Sequence, residues 1–417
     1  MHVMFIHPNF PAQFGHIALH LATQLQWQCT FVTSIDTTHL NLPFNHINYR
    51  VAPGPQPKVF NNPDNLNTHF DHLKAIYVGL RGVHHIKPDL VVGHMFYGTM
   101  LYLRNLYNCP FIGYYELQLP PFWGDGLVLR KEFPPPEGIR LFNATYHALT
   151  YLHLHAVDAC YTPTHFLKNT APKELHHKLH VIFDGVDGNL FQPRSIDRPC
   201  QFRGLTIGPD TKVVTFVSRG LESVRGFDIF MKAAKKIAQE IPDVLFLIAG
   251  DERTNYGFEL HHIGNQSFKR WVLSQDSYDL SKFHFLGRIP LQELAQLFNI
   301  SDLHFYLTVP YVLSWSMMQA MASGCTILGS ATPPVQEVID DGVHGLLTDF
   351  YDVDGLTERA LRVLRDPQGH RALGEAARAR VMERYEQRHC INQMVQLCQS
   401  YQQHRSDDFF AGLGAAP

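Results

Sequence analysis

Two arginines, Arg219 and Arg225, flank the short run Gly220-Leu221-Glu222-Ser223-Val224, which follows an apolar stretch and precedes a helical pattern. A guanidinium keeps its charge at neutral pH and can grip a phosphate through two parallel N–H donors. Two of them on a loop after a strand are placed to clamp a diphosphate, although most arginines are only solvated surface groups. A second segment runs from Tyr311 to Glu337. Ser314, Trp315, Ser316 and Met317 open a helix expected to continue to Ala322 and to end at Ser323-Gly324. A helix start leaves backbone N–H groups unpaired and partly positive, which suits an anion. Gln319 is the one polar side chain inside that helix, among methionines and alanines.

Other candidates are more isolated. Gly15 sits in the first strand–helix loop, where a lone glycine can simply relieve a tight turn. His94 and Glu116 each fall at the carboxyl end of a strand, where a ligand would sit, though the histidine could be a satisfied strand-end residue and the glutamate a helix cap. The loop Phe122-Trp123-Gly124-Asp125 could stack on an acceptor sugar, lie against a membrane surface or be buried.

The elements that must position these residues alternate. Short apolar runs at Val3–Ile6, Thr30–Thr33, Ile47–Val51, 89–93, Phe111–Tyr115, Ala159–Thr162 and Leu179–Phe183 are separated by helical patterns over 15–24, 69–85 and 140–157. A second series follows at Lys212–Val217, Val244–Gly250, His284–Gly287, Leu303–Leu307 and Thr326–Leu328. Its helices are expected over 226–240, 291–300, 316–323, 352–383 with a break at Pro367, and 390–403. Such alternation implies mostly parallel sheets covered on both faces, with ligands at the carboxyl ends of the strands. Residues 1–195 and 211–385 read as two α/β domains, 196–210 as a linker, 386–405 as a helix returning to the first domain and 406–417 as a flexible tail. Two doubly wound domains would enclose a cleft for a ligand held by one and an acceptor held by the other.

Composition narrows the function classes. The chain has 417 residues, 45% of them hydrophobic, enough for two cores. Its net charge of −3 gives no global attraction for nucleic acid. The 7 cysteines are dispersed without a CxxC pair, as expected of free thiols in a reducing compartment. With no signal-peptide pattern and no run long enough to span a bilayer, a cytoplasmic protein is expected. The 26 histidines include adjacent pairs, but no HExxH or cysteine-completed arrangement makes a metal site. A GxGxxG fingerprint is missing after the first strand, which argues against a dinucleotide dehydrogenase.

Four segments in order carry a resemblance: Ser218-Arg219-Gly220-Leu221 with Arg225-Gly226, Ile248–Asp251, Phe285-Leu286-Gly287-Arg288, and Tyr311–Glu337. Together they resemble the retaining glycosyltransferases of family 4, group 1, which have the GT-B fold of two Rossmann-like α/β domains. Asp184-Gly185-Val186-Asp187 resembles the segment that ends their N-terminal domain. The resemblance implies transfer of a hexose-type sugar from a nucleoside diphosphate sugar, UDP- or GDP-linked, to a hydroxyl of a glycan, lipid or other acceptor. It implies no cofactor and no metal, since Arg219 and Arg225 match the family's basic pair. Ser314–Met317 matches the turn whose backbone contacts the donor, and Gly287 with Arg288 the platform for the base. His94 matches the histidine that contacts the transferred sugar, and Gly15 the loop near the donor phosphate. Glu116 and Trp123 fall on the acceptor side, with contact at the inner face of a membrane as one setting. Gln319 stands where the family has the second glutamate of its Glu-x7-Glu pattern, and Tyr311 where it has the first.

Those two departures motivate an alternative, a non-catalytic or partner-dependent binding subunit. A nucleotide-sugar epimerase of the same fold is the other competitor. The sequence alone further suggests that Arg225→Ala should weaken donor binding far more than folding.

Overall fold

The structure is a computed structural model that describes residues 1–51, 65–83, 85–97, 99–116, 130–264 and 266–403. These fall into two compact units, one of residues 1–116, 137–184 and 388–403, the other of 130–136 and 185–387.

The first unit contains β1 (His2–Ile6), α1 (Gly15–Gln24), β2 (Gln28–Thr33), β3 (Asn45–Asn48), α2 (Asn65–Arg81), β4 (Leu90–His94), β5 (Phe111–Tyr114), α3 (Glu137–Ala156), β6 (Ala159–Thr162), α4 (His165–Lys168) and β7 (Leu179–Val181). Its seven strands are parallel in the order β3-β2-β1-β4-β5-β6-β7. Side chains alternate across the sheet, so each strand feeds two cores. Met4, Ile6, Val91, Phe111 and Cys160 pack with Ile76 and Leu80 of α2 and Leu154 of α3. Val3, Phe5, Val92, Ile112 and Tyr161 pack with Ile17, Ala18 and Leu21 of α1, and with Ile391, Met394 and Leu397 from the end of the chain.

The second unit begins with an antiparallel hairpin, β8 (Cys200–Phe202) and β9 (Leu205–Ile207), within the stretch read from sequence as plain linker. Its three-residue strands are too short for a period-2 pattern to register. Then come β10 (Lys212–Gly220), α5 (Phe227–Glu240), β11 (Val244–Asp251), α6 (Phe268–Gln275), β12 (Phe283–Gly287), α7 (Leu291–Asn299), β13 (Leu303–Tyr306), α8 (Trp315–Ala322), β14 (Ile327–Ser330), α9 (Pro333–Gln336), β15 (Leu346–Thr348), α10 (Val353–Arg365) and α11 (Arg371–Arg384); α12 (Gln387–Gln403) leads back into the first unit's core. Six parallel strands run β12-β11-β10-β13-β14-β15. Phe216, Phe230, Phe246 and Phe305 form the aromatic centre, Phe230 lying 4.7 Å from Phe216 and 5.3 Å from Phe305. The amphipathic α5 and α10 cover it side by side.

The helix expected after Ser314 is α8. Ser314 is its N-cap, and Gly324 beyond its end takes the left-handed conformation with φ +78°. Among the described residues no helix is long and apolar enough to cross a membrane, and all seven cysteines are free thiols.

Candidate active site

Strand order reverses between β1 and β4 in the first unit and between β10 and β13 in the second. In doubly wound sheets the crevice at the carboxyl ends of such a strand pair is where ligands bind. The candidate residues of each unit gather at that edge.

In the first unit His94 ends β4 and His7 follows β1, with ring centroids 5.0 Å apart. Tyr97 and Tyr114 close on His94 at 4.9 and 5.0 Å. Burial pulls the His94 pKa down to about 3, so the ring is neutral. Its Nδ1 accepts from the Phe96 N–H at 3.2 Å, which leaves the proton on Nε2, facing Glu116 Oε2 at 3.1 Å. Gln13 donates to the same carboxylate oxygen at 3.3 Å. The imidazole is thus fully hydrogen-bonded, while the Glu116 side chain is 26% exposed. His7, Gln13 and Tyr97 escaped the sequence reading: the parallel pairing of β1 with β4 brings His7 to His94, Gln13 reaches Glu116 from 103 residues away, and Tyr97 follows His94 in a turn with no motif. Gly15 begins α1; a Cβ there would meet Pro11 Cβ at 2.3 Å, so its glycine is required by loop packing. Trp123 lies outside the described residues.

In the second unit Arg219 ends β10 and is exposed, with Nη1 donating to the Tyr256 hydroxyl at 3.1 Å. Arg225 is different. It is buried, and Nη1 donates to Thr308 Oγ1 at 3.1 Å and Val312 O at 3.0 Å, with Tyr306 Oη at 3.4 Å. Burial disfavours its charge, but the neighbouring Tyr306, Tyr256 and Glu222 raise its pKa on balance, so the guanidinium stays charged. Tyr311 and Tyr256 flank it, their ring centroids 5.6 and 5.9 Å from its Cζ. Arg225→Ala, expected to weaken donor binding far more than folding, also removes the contacts to Thr308 and Val312 that tie down the β13–α8 connection.

That connection carries the helix start. Ser314 N–H donates to Tyr306 Oη at 2.8 Å, and Ser316 Oγ donates to Val217 O of β10 at 3.2 Å. The first amides of α8 are thereby fixed beside Arg225. Trp315 is 42% exposed, and the Met317 side chain is fully buried, so only its backbone can face a ligand. Gln319 is half-buried, with no hydrogen-bond partner for its amide among the described residues. Tyr311 is 4% exposed and lies against Tyr256, centroids 5.3 Å apart. Arg288 follows β12 at the outer edge of the sheet, exposed and without an ion-pair partner among the described residues. Tyr256 and Glu222 were missed. Tyr256 lies in a loop with no motif, and Glu222 reads as a surface residue until its burial is seen.

A family model described as "Glycosyl transferase family 4 group" matches residues 25–191, and one described as "Glycosyl transferases group 1" matches 197–380. The chain belongs to the family 4, group 1 glycosyltransferases. N-acetyl-alpha-D-glucosaminyl L-malate synthase of Bacillus anthracis is 25% identical over 215 residues, 52% of this chain and 52% of that protein. D-inositol 3-phosphate glycosyltransferase of Mycolicibacterium smegmatis is 28% identical over 194 residues, 46% of this chain and 41% of that protein. The matched stretch thus spans about half the length of these curated relatives. Sucrose-phosphate synthase from Thermosynechococcus elongatus has the same fold, with TM-score 0.74, 17% identity, and coverage of 96% of this chain and 98% of that one. HepE from Anabaena, solved with UDP-glucose, aligns with TM-score 0.67 and 16% identity over 96% of this chain and 100% of that chain. The GT-B fold, two Rossmann-like parallel-sheet domains, is the one these neighbours share. Among the described residues, no group of three or more His, Cys, Asp or Glu side chains is arranged to hold a metal ion.

Proposed function

We propose that this protein transfers a sugar from a nucleoside diphosphate sugar to a hydroxyl acceptor, a glycan or lipid, with retention at the anomeric carbon. The observation that carries the reading is the carboxyl edge of the β10–β13 pair, where Arg219, Arg225 and the α8 amides converge. The donor diphosphate would sit on Arg219 and the first turn of α8, with Arg225 supplying charge from beneath. Fixed positive charge there stabilises the diphosphate as the glycosidic bond breaks. Gln319 would hold the ribose diol through its uncommitted amide, and Arg288 the edge of the base. In the first unit, Glu116, oriented by neutral His94, would accept hydrogen bonds from sugar hydroxyls. Family membership supports the reading, as do relatives that bear glycosyltransferase names and a neighbour solved with UDP-glucose.

Thermal shift against UDP-, GDP- and ADP-sugars is the first test, because a ligand that binds the native state raises its melting temperature. A stabilising donor is then incubated with candidate acceptors, and the product's anomeric configuration is read by NMR. No shift with any nucleotide sugar would overturn the proposal.

A second reading has its own observation. Tyr311, in place of a glutamate, is buried against Arg225 and presents no carboxylate to a donor sugar. A non-catalytic donor-binding subunit would bind the nucleotide sugar yet neither transfer nor hydrolyse it.

A further inference from the structure

Glu222 lies between the two arginines in sequence and is completely buried. Its Oε2 accepts three backbone N–H groups, from Asn255 at 2.8 Å, Tyr256 at 2.7 Å and Gly257 at 3.2 Å. Its Oε1 is also buried and has no hydrogen-bond partner among the described residues. A second buried carboxylate, Glu259, stands beside it and fixes the same two segments. Glu259 accepts from Ser223 N–H at 3.1 Å, Ser223 Oγ at 2.6 Å and Thr254 Oγ1 at 2.9 Å. The 253–257 turn is seated so closely on the arginine loop that a Cβ at Gly220 would meet Arg253 O at 2.3 Å. This turn carries Tyr256, the residue that contacts Arg219, Arg225 and Tyr311.

We propose that Glu222 is a positioning residue of the donor site: it holds the 255–257 turn, and with it Tyr256, against both arginines, and it is neutral when an anionic donor is bound. This rests on the reading of that edge as the diphosphate site. The physical argument has two parts. Three N–H groups converging on one oxygen fix the turn whether the carboxyl is ionised or not, since a protonated acid keeps Oε2 as a carbonyl acceptor. The unpartnered Oε1 is where the proton resides. Burial first, and Glu259 second, push the Glu222 pKa up to about 7, with Arg225 and the amides of Tyr256 and Asn255 opposing. Of the other charges near this loop, Arg130 pairs with Asp228 at 2.8 Å and with Glu132 at 3.2 Å on the far side of Ser223, whose carbonyl accepts from Arg130 Nη1 at 2.6 Å, and Arg253 pairs with Asp251 at 3.1 Å. A diphosphate on Arg219 and Arg225 adds negative charge to the field at Glu222 and favours its protonated form. Donor binding therefore takes up a proton from solvent at Oε1, and by linkage donor affinity falls as pH rises through the Glu222 pKa.

The test measures affinity for the nucleotide sugar that stabilises the protein, UDP-glucose first, whose diphosphate diester does not titrate between pH 6 and 8. Wild-type affinity is expected to weaken by about three- to tenfold from pH 6 to pH 8, one pKa unit of coupling being a factor of ten. Glu222→Gln keeps an oxygen for the three N–H groups and removes the charge; its affinity should not change over that range and should match or exceed the wild type at pH 8. Glu222→Ala loses the cradle and should bind weakly at both values. Should Glu222→Gln fail to fold, wild-type calorimetry at pH 7.5 in buffers of different ionisation enthalpy decides, with net proton uptake expected. A flat wild-type profile, a retained slope in folded Glu222→Gln, or no proton uptake overturns the inference while leaving donor binding intact. Absence of donor binding in the wild type removes the functional proposal itself.

Discussion

His94 Nε2 donates to Glu116 Oε2 at 3.1 Å from a ring that burial keeps neutral and that the Phe96 amide locks into one tautomer. In the proposed reading the partly exposed Glu116 carboxylate meets the sugar and the histidine holds it in place. Glu116→Ala is expected to leave Nε2–H without a partner and to cut kcat/KM by about ten- to a hundredfold, the equivalent of one lost charge-assisted hydrogen bond. Glu116→Gln should lose less. Because His94 has a pKa of about 3, its own titration should give no inflection between pH 5 and 8 in the rate profile of either variant.

Arg219 and Arg225 should separate in mutagenesis. Arg219→Ala removes an exposed group and is expected to weaken nucleotide-sugar affinity about tenfold or more with little change in melting temperature. Arg225→Ala strands Thr308, Val312 and Tyr306, and should cost about 2–4 kcal/mol of stability besides donor affinity. Calorimetric titration paired with urea denaturation distinguishes them; equal melting temperatures for the two variants would contradict the burial argument.

Gln319→Glu restores a carboxylate where the family has one. If its side chain faces the ribose diol, affinity for a nucleotide sugar should rise by roughly fivefold, about 1 kcal/mol for exchanging a neutral acceptor for a charged one. No gain would place the diol elsewhere.

Arg130 and Asp228 form a bidentate buried pair, at 2.9 and 2.8 Å, roofed by Phe350 and Tyr351. Removing Asp228 leaves the buried Arg130 guanidinium with the more exposed Glu132, at 3.2 Å, as its remaining carboxylate partner among the described residues. Asp228→Ala should destabilise the fold by about 3–5 kcal/mol in a denaturant titration.

Five buried histidines set an acid limit. His69 and His153 have pKa values near 4 and His94 and His304 near 3, all lowered by burial, and His7 is lowered by burial and by His94. Each binds a proton more readily in the unfolded chain, whose value is about 6.5. Their contribution to stability is thus present above pH 6.5 and is lost as pH falls toward the native values. Denaturation midpoints should decline steadily from pH 6.5 to 4, a trend that exposed histidines would not produce.

Much of this was legible in order along the chain. The apolar runs at Val3–Ile6, Val244–Gly250 and Leu303–Leu307 became central strands, because a buried parallel strand needs an unbroken apolar stretch. Ser314 and Gly324 marked the ends of α8 through their side-chain and backbone preferences, which are local properties. Differences fell on short or weakly patterned elements: β3 lies at Asn45–Asn48 instead of 47–51, α2 begins at Asn65, and the β8–β9 hairpin, α4, α6, α9 and β15 were missed.

The sequence by itself determined the alternation and most strand ends, and therefore which residues stand at the carboxyl edges of the two sheets. Only the tertiary structure decided what each does there. Arg219 and Arg225 look equivalent in sequence, yet one is exposed and the other is tied to Thr308 and Val312 from a different strand–helix connection. Glu222 has the composition of a surface residue and becomes a buried anchor once the 253–257 turn folds onto Gly220. Burial and hydrogen-bond pairing arise between segments far apart in the chain, so charge state and role follow from packing, which local patterning does not encode.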